Sequence, residues 1–91
     1  MALLDLLGRR WALRVIWELR EGPLSFRQLQ AGCEAISSSV LNDRLAELRA
    51  AGIVEAAPEG YRLTPEGEEL LALYPGLDAW AQRWAERDRR G

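Results

Sequence analysis

Within residues 37–49 lie three consecutive serines, Ser37, Ser38 and Ser39, followed by Asn42, Asp43, Arg44 and Arg49. Hydroxyls beside the free N–H groups at a helix start bind phosphate oxygens. A carboxamide pairs bidentately with adenine, and a guanidinium fork fits guanine or phosphate. This is the chemistry of gripping and reading a polyanion, not of turnover. The chain has no histidine and one cysteine. The commonest general base and metal ligand are therefore missing, along with every Ser-His or Cys-His pair. No carboxylate sits in a catalytic or metal-binding motif, so neither an enzyme nor a metal or cofactor is expected.

The helix bearing these residues needs a small body to hold it. Ninety-one residues make one domain, taken here as the whole of 1–91, in which 48% hydrophobic and 29% charged residues are ordinary for a globular chain. A domain this short hides only about 60–65% of its unfolded surface, so a partner subunit would help it. Its net charge is −2, although a protein that holds nucleic acid by bulk charge should be basic. Distribution answers part of that objection, because residues 1–52 are slightly positive and the acidic surplus lies in 53–91. Every basic residue is arginine. No apolar run approaches the ~18 residues of a membrane helix, and the start resembles no export signal. A cytoplasmic location away from membranes is expected, and the single cysteine fits a reducing compartment.

The supporting elements follow from periodicity and punctuation. A first helix is expected from about Gly8 to Arg20, apolar nearly all round except for Arg10, Arg14 and Glu18. Such a helix either forms a central core or meets a second subunit, and the pattern leaves both open. Glu21-Gly22-Pro23 stops it. Ser25 and Gln28 form a capping box for a short second helix whose apolar face is Phe26, Leu29 and Cys33. Cys33 is therefore expected to be a small core residue. A third helix starts at the serines and stops at Gly52, burying Leu41, Leu45 and Leu48. Its opposite side carries Ser39, Asn42, Asp43, Ala46 and Ala50, with Ser38 and Arg49 on a flank. That face is small and polar, shaped for close approach to a groove.

Residues 53–57 and 61–64 read as two strands around Pro58-Glu59-Gly60, and Thr64-Pro65 opens another helix. Beyond it, Leu70, Leu73, Leu77, Trp80 and Trp84 fall at spacings of 3, 4, 3 and 4. This is a heptad seam, with a kink or break expected at Pro75-Gly76 and a frayed charged tail from Arg87. Two tryptophans near a chain end have little of their own domain to cover, which favours a dimer seam over an intramolecular face. The class is mainly α with a small β-hairpin. Helix, helix, helix, hairpin, helix is the order of a winged helix-turn-helix, in which the third helix enters the major groove and the hairpin rides the backbone.

The sequence resembles the HxlR-type winged helix-turn-helix transcriptional regulators of bacteria and archaea. The resemblance runs from about Leu7 to Trp84. It rests on Gly8-Arg9-Arg10-Trp11, the stretch 16–23, Ser25-Phe26-Arg27-Gln28-Leu29, the stretch 36–48, Gly52-Ile53-Val54-Glu55, the stretch 61–67 and Trp80. It implies a homodimer that binds an inverted-repeat operator in double-stranded DNA, with the terminal helices in the dimer contact. Expected DNA-binding residues are Ser25, Arg27, Ser37, Ser38, Ser39, Asn42, Asp43, Arg44, Arg49 and Arg62. Expected dimer residues are Leu4, Leu7, Trp11, Leu73, Leu77, Trp80 and Trp84. Arg44 borders the buried face and has a second reading, pairing with Glu47 or Asp43 or bridging to the hairpin.

Ser38 and Ser39 stand where the family commonly has lysines, Ser25 where it often has arginine, and Ala56 where it is usually basic. The wing is also shorter. Each lost phosphate contact lowers the salt slope by about 0.9, so more of the grip falls to base contacts and to Arg27, Arg44, Arg49 and Arg62. These departures also define an alternative, a winged-helix protein-interaction module without specific DNA binding. Family members that sense electrophiles carry a cysteine before the glycine-tryptophan segment; this chain has none there, and that mode is not carried over.

Overall fold

The computed structural model describes residues 3–34 and 36–90, with side chains described for 5–34 and 36–89. In chain order the elements are α1 (Leu3–Leu7), α2 (Ala12–Glu18), α3 (Phe26–Gly32), α4 (Ser38–Ala50), β1 (Val54–Ala57), β2 (Gly60–Leu63), α5 (Pro65–Ala72) and α6 (Tyr74–Arg90). The architecture is mostly helical with a two-stranded antiparallel hairpin. The helix expected from Gly8 starts four residues later, at Ala12. A turn follows α1, closed by Arg9 N–H to Leu6 O and Ala12 N–H to Arg9 O, and Trp11 takes a left-handed φ of 77°. Glycine is a poor helix former, so Gly8 falls in that turn and not in a helix interior.

Local capping decides the next three starts. Ser25 Oγ accepts the Gln28 N–H at 3.1 Å, and Gln28 Oε1 accepts the Ser25 N–H at 2.8 Å, completing the capping box. Ser37 caps α4 by accepting the Val40 N–H at 3.2 Å. Thr64 caps α5 by accepting the Gly67 N–H at 3.0 Å, with Pro65 in the first helical position. The Thr64 hydroxyl also donates to the carbonyls of Gly52 and Ile53. This one buried residue therefore joins the end of α4, the hairpin and α5. Gly52 adopts φ 76° just past the α4 C-cap, where a left-handed residue ends a helix readily.

The core is one cluster. It takes Leu6 from α1, Val15, Ile16 and Leu19 from α2 and its C-cap, Leu29 and Cys33 from α3 and its C-cap, Ile36 before α4, the α4 leucines 41, 45 and 48, Ile53 before the hairpin, and Val54 and Leu63 within it. Each fully buried leucine contributes about 1.5–3 kcal/mol. Within the hairpin, Val54 pairs with Leu63, Glu55 with Arg62, Ala56 with Tyr61 and Ala57 with Gly60, so the loop is Pro58-Glu59 alone. Ile53 and Thr64, expected in the strands, lie just outside them. A third segment joins the sheet: Leu24 bridges Tyr61, with N···O distances of 2.9 and 2.8 Å in the two directions. The adjacent Gly60 has φ 137°, and a Cβ there would come within 2.4 Å of the Leu24 carbonyl oxygen. Only glycine allows this approach.

The break between the last two helices falls at Leu73, before Pro75-Gly76. Restarting at Tyr74 puts Pro75 in a first turn, where its missing N–H is harmless, instead of in an interior. Helix α6 then continues to Arg90, so of the tail expected to fray over Arg87 to Gly91, residues 87–90 are helical and Gly91 lies outside the described residues. Seventeen residues rise about 26 Å. From Pro75 to Arg89 every residue except Ala85 is exposed, so α6 leans little on its own core.

Candidate nucleic-acid interface

Helix α4 is divided by its own periodicity. Leu41, Leu45 and Leu48 are 0–1% exposed, whereas Ser38, Ser39, Asn42, Asp43, Ala46, Arg49 and Ala50 are all exposed. The small polar face predicted for this helix thus points away from the core. At its N-terminus the serines are linked locally. Ser37 Oγ lies 3.3 Å from Ser39 Oγ, and Gln30 of α3 donates its Nε2–H to Ser38 Oγ at 3.0 Å. The Gln30 contact fixes the start of α4 against α3, the brace that a helix-turn-helix needs. Ser25 uses its hydroxyl oxygen for capping, which leaves its proton to offer an anion. Of the Ser37–Ser39 pair, one hydroxyl proton is taken by the other serine and one is left.

The arginines separate into two groups. Arg27 on α3 and Arg49 in the last turn of α4 are exposed, and Arg49 borders a shallow groove of about 480 Å³. That groove runs between α4 and β1 and is lined by Ala46, Ala50, Val54, Glu55 and Ala56. Its alanines make it open and nearly featureless. Arg44 and Arg62 are committed within the chain. The Arg44 side chain is 15% exposed, pairs with Glu47, and donates its Nε–H to the Arg10 carbonyl at 3.1 Å. Of the two readings for Arg44, intramolecular pairing is the one seen, but it bridges to the turn before α2 and not to the hairpin. Position on the α4 wheel did place Arg44 at the edge of the buried face; its acceptor, a backbone carbonyl 34 residues away, had no sequence signal. Arg62 meets Glu55 at 2.6 Å across the hairpin. With Glu59 at the loop, the hairpin carries two acids against one arginine. The wing is short and slightly negative.

The second surface is apolar. Leu73, Leu77, Trp80 and Trp84 are 54–68% exposed, while Leu70 of the same heptad series packs on the core. Leu7 and Trp11 are half-buried against that core, leaving only part of each to meet a partner. Leu4 lies outside the residues whose side chains are described. Sequence reasoning missed Leu13 and Trp17, each 38% exposed on α2. Trp17 stacks on Tyr74 with ring centroids 5.5 Å apart, so the exposed α2 stripe runs up to the first residue of α6. The Arg20 guanidinium covers the Trp17 ring at 4.1 Å. The all-round apolar pattern of that helix was the available signal.

Cys33 is fully buried at the α3 C-cap. Burial pushes its thiol above the ordinary value of 9.0; Glu18 adds to the rise and Arg14 opposes it. A thiol held protonated is a poor nucleophile. Among the described residues, no group of three His, Cys, Asp or Glu is placed to hold a metal ion, and no helix is long and apolar enough to cross a membrane.

A capped short helix braces a second helix with an outward polar face, and a hairpin follows. The same order appears in known proteins. Residues 6–89 match the HxlR-like helix-turn-helix family. The chain belongs to that family. The HxlR-like chain is 36% identical over 89 residues to the transcriptional regulator YodB of Bacillus subtilis, covering 90% of this chain and 80% of YodB. The crystal structure of quinone-bound YodB superposes with a TM-score of 0.83 at 36% identity, covering 88% of this chain and 91% of that one. A structure described as a MarR-family regulator from Enterococcus faecalis V583 gives 0.82 at 29% identity, covering 97% and 86%. An archaeal relative, MJ0925 of Methanocaldococcus jannaschii, is 26% identical over 91 residues, 94% of this chain and 85% of its own. Membership makes this chain an HxlR-like helix-turn-helix transcriptional regulator and implies DNA binding. Its relatives are regulators and not enzymes, which implies a role other than catalysis.

Proposed function

We propose that this HxlR-like chain acts as a single domain that binds an inverted-repeat operator as a homodimer, with α4 in the major groove. The exposed small polar face of α4, opposite three buried leucines, carries this reading. Asn42 offers the bidentate pattern for adenine, Asp43 can accept from a cytosine amino group, and Arg49 reaches guanine or phosphate. Ser37, Ser38 and Ser39 sit at the positive end of the helix dipole and take a phosphate there, while Ser25 and Arg27 take the backbone beside α3. Arg62 serves the flanking phosphates only by leaving Glu55, and Arg44 contributes by placement instead of contact. The dimer forms through Leu73, Leu77, Trp80 and Trp84, joined by Leu13 and Trp17 and by the accessible parts of Leu7 and Trp11. Leu4 is the remaining candidate.

The expected outcome in fluorescence polarisation is tight, salt-sensitive binding to DNA from the chain's own promoter region. Equal affinity for a scrambled duplex would falsify the operator reading. The negative wing favours a second reading, a protein-interaction winged helix. Replacing Asn42 and Arg49 with alanine separates the two. A regulator loses its operator and stays a folded dimer; an interaction module loses a protein partner instead.

A further inference from the structure

A charged cluster beneath the outward face of α4 is explained neither by base contact nor by dimer pairing. One carboxylate oxygen of Glu47 meets Arg9 Nε at 2.9 Å, and the other meets the Arg44 guanidinium. Arg44 also donates to the Arg10 carbonyl at 3.1 Å. Glu47 is 20% exposed and Arg44 15%, so solvent screens their contact less than it would at the open surface, while Arg9, at 47%, is the more screened arm. Both tethers end on the turn before α2, next to Trp11, the only non-glycine residue with positive φ among those described. A bulky residue in that conformation costs on the order of 1–3 kcal/mol and persists only where its surroundings hold it.

We propose that Glu47 is a positioning residue for DNA recognition. With Arg9 and Arg44 it fixes how α4 is oriented against the α1–α2 turn, and hence the angle at which each outward face meets the duplex. The inference rests on the operator reading above. The physical case is one of direction. Burial of Leu41, Leu45 and Leu48 holds α4 to the body, but apolar burial is non-directional and tolerates a small rotation or slide. Arg44 donates one N–H to the Glu47 carboxylate and another to the Arg10 carbonyl, and these directional bonds fix orientation, while Arg9 adds an ion pair to the same carboxylate. The clasp uses none of the side chains proposed to touch bases. Its loss therefore changes geometry and leaves the contact set intact.

The test compares wild type with Glu47→Gln, which keeps shape and removes charge, and Arg9→Gln, whose side chain is 47% exposed and safe to alter. A site is first selected from random DNA with the wild type. All three proteins are then titrated on that site and on versions with the half-sites one base pair closer or farther apart. The expected result is a folded dimer with an unchanged salt slope and a flattened or shifted spacing preference, roughly tenfold weaker on the selected site for Glu47→Gln and severalfold for Arg9→Gln. A residue that merely adds stability would lower the melting temperature and leave the spacing ratios alone. Wild-type ratios in both variants overturn the clasp while the operator reading stands. If Glu47→Gln does not fold, Arg9→Gln decides by the same ratios. A wild type that enriches no sequence overturns the operator reading and this inference together.

Discussion

Helix α4 presents one long face to the outside and α6 nearly its whole circumference, and their apolar residues are placed oppositely. On α4 the buried side is leucine and the exposed side is serine, asparagine and alanine. On α6 the exposed side itself is leucine and tryptophan, and almost nothing is buried. A helix whose apolar residues face its own core is complete as a monomer. One whose apolar residues face out needs a second body. The contrast supports the proposed division of partners, with a polar, closely approached one for α4 and an apolar one for α6.

The largest expected effect tests the α6 side. Trp80→Gln together with Trp84→Gln removes two aromatic anchors, each about 2 kcal/mol or more if it sits at an interface centre. Sedimentation should then show a monomer, and a persistent dimer would place the interface on α2. Next comes the buried side of α4, where Leu45→Ala should cost about 2–5 kcal/mol in urea unfolding. An equivalent loss from Leu77→Ala measured on the monomer would erase the distinction between the two helices. Asn42→Ala should weaken operator binding by about 1–3 kcal/mol with no change in melting temperature. Ser37→Ala, which removes the α4 cap, should cost about 1 kcal/mol of stability.

The smallest effect concerns Cys33, whose thiol pKa is raised in the fold. The unfolded thiol ionises first as pH rises past 9, so the stability that Cys33 contributes is complete below that point and is lost on the way to the higher folded value. Cys33→Ala should remove that component from a stability profile between pH 8 and 10. An unchanged alkaline slope would show that the thiol is not the titrating group.

Features decided by near neighbours could be read directly from the sequence. The Ser25–Gln28 box, the helix start at the three serines, the Thr64 cap, the Gly52 stop and the leucine stripe of α4 each depend on residues within a turn or two. Features that depend on distant chain were not readable. Nothing near Arg44 announces that its acceptor is the Arg10 carbonyl, and nothing near Leu24 shows that it will pair with Tyr61. The left-handed Trp11 is a tertiary outcome, because its own side chain opposes that backbone. The seam at Leu73 to Trp84 was visible as a pattern, but its division, with Leu70 turned inward and the rest outward, depends on where α5 meets the core. Leu13 and Trp17 were hidden in a helix apolar on most sides, where periodicity cannot separate wall from floor.

The stitch between Leu24 and Tyr61 has a mechanical corollary. It fastens the turn end of the hairpin to the stretch that launches α3, so the wing is carried by the helical body like a fin on a hull. On the proposed operator reading, a bent or overwound duplex would have to be followed by the wing and the start of α3 together. The helical body would then pitch as one, and the strain of that motion would fall on whatever joins it to α6.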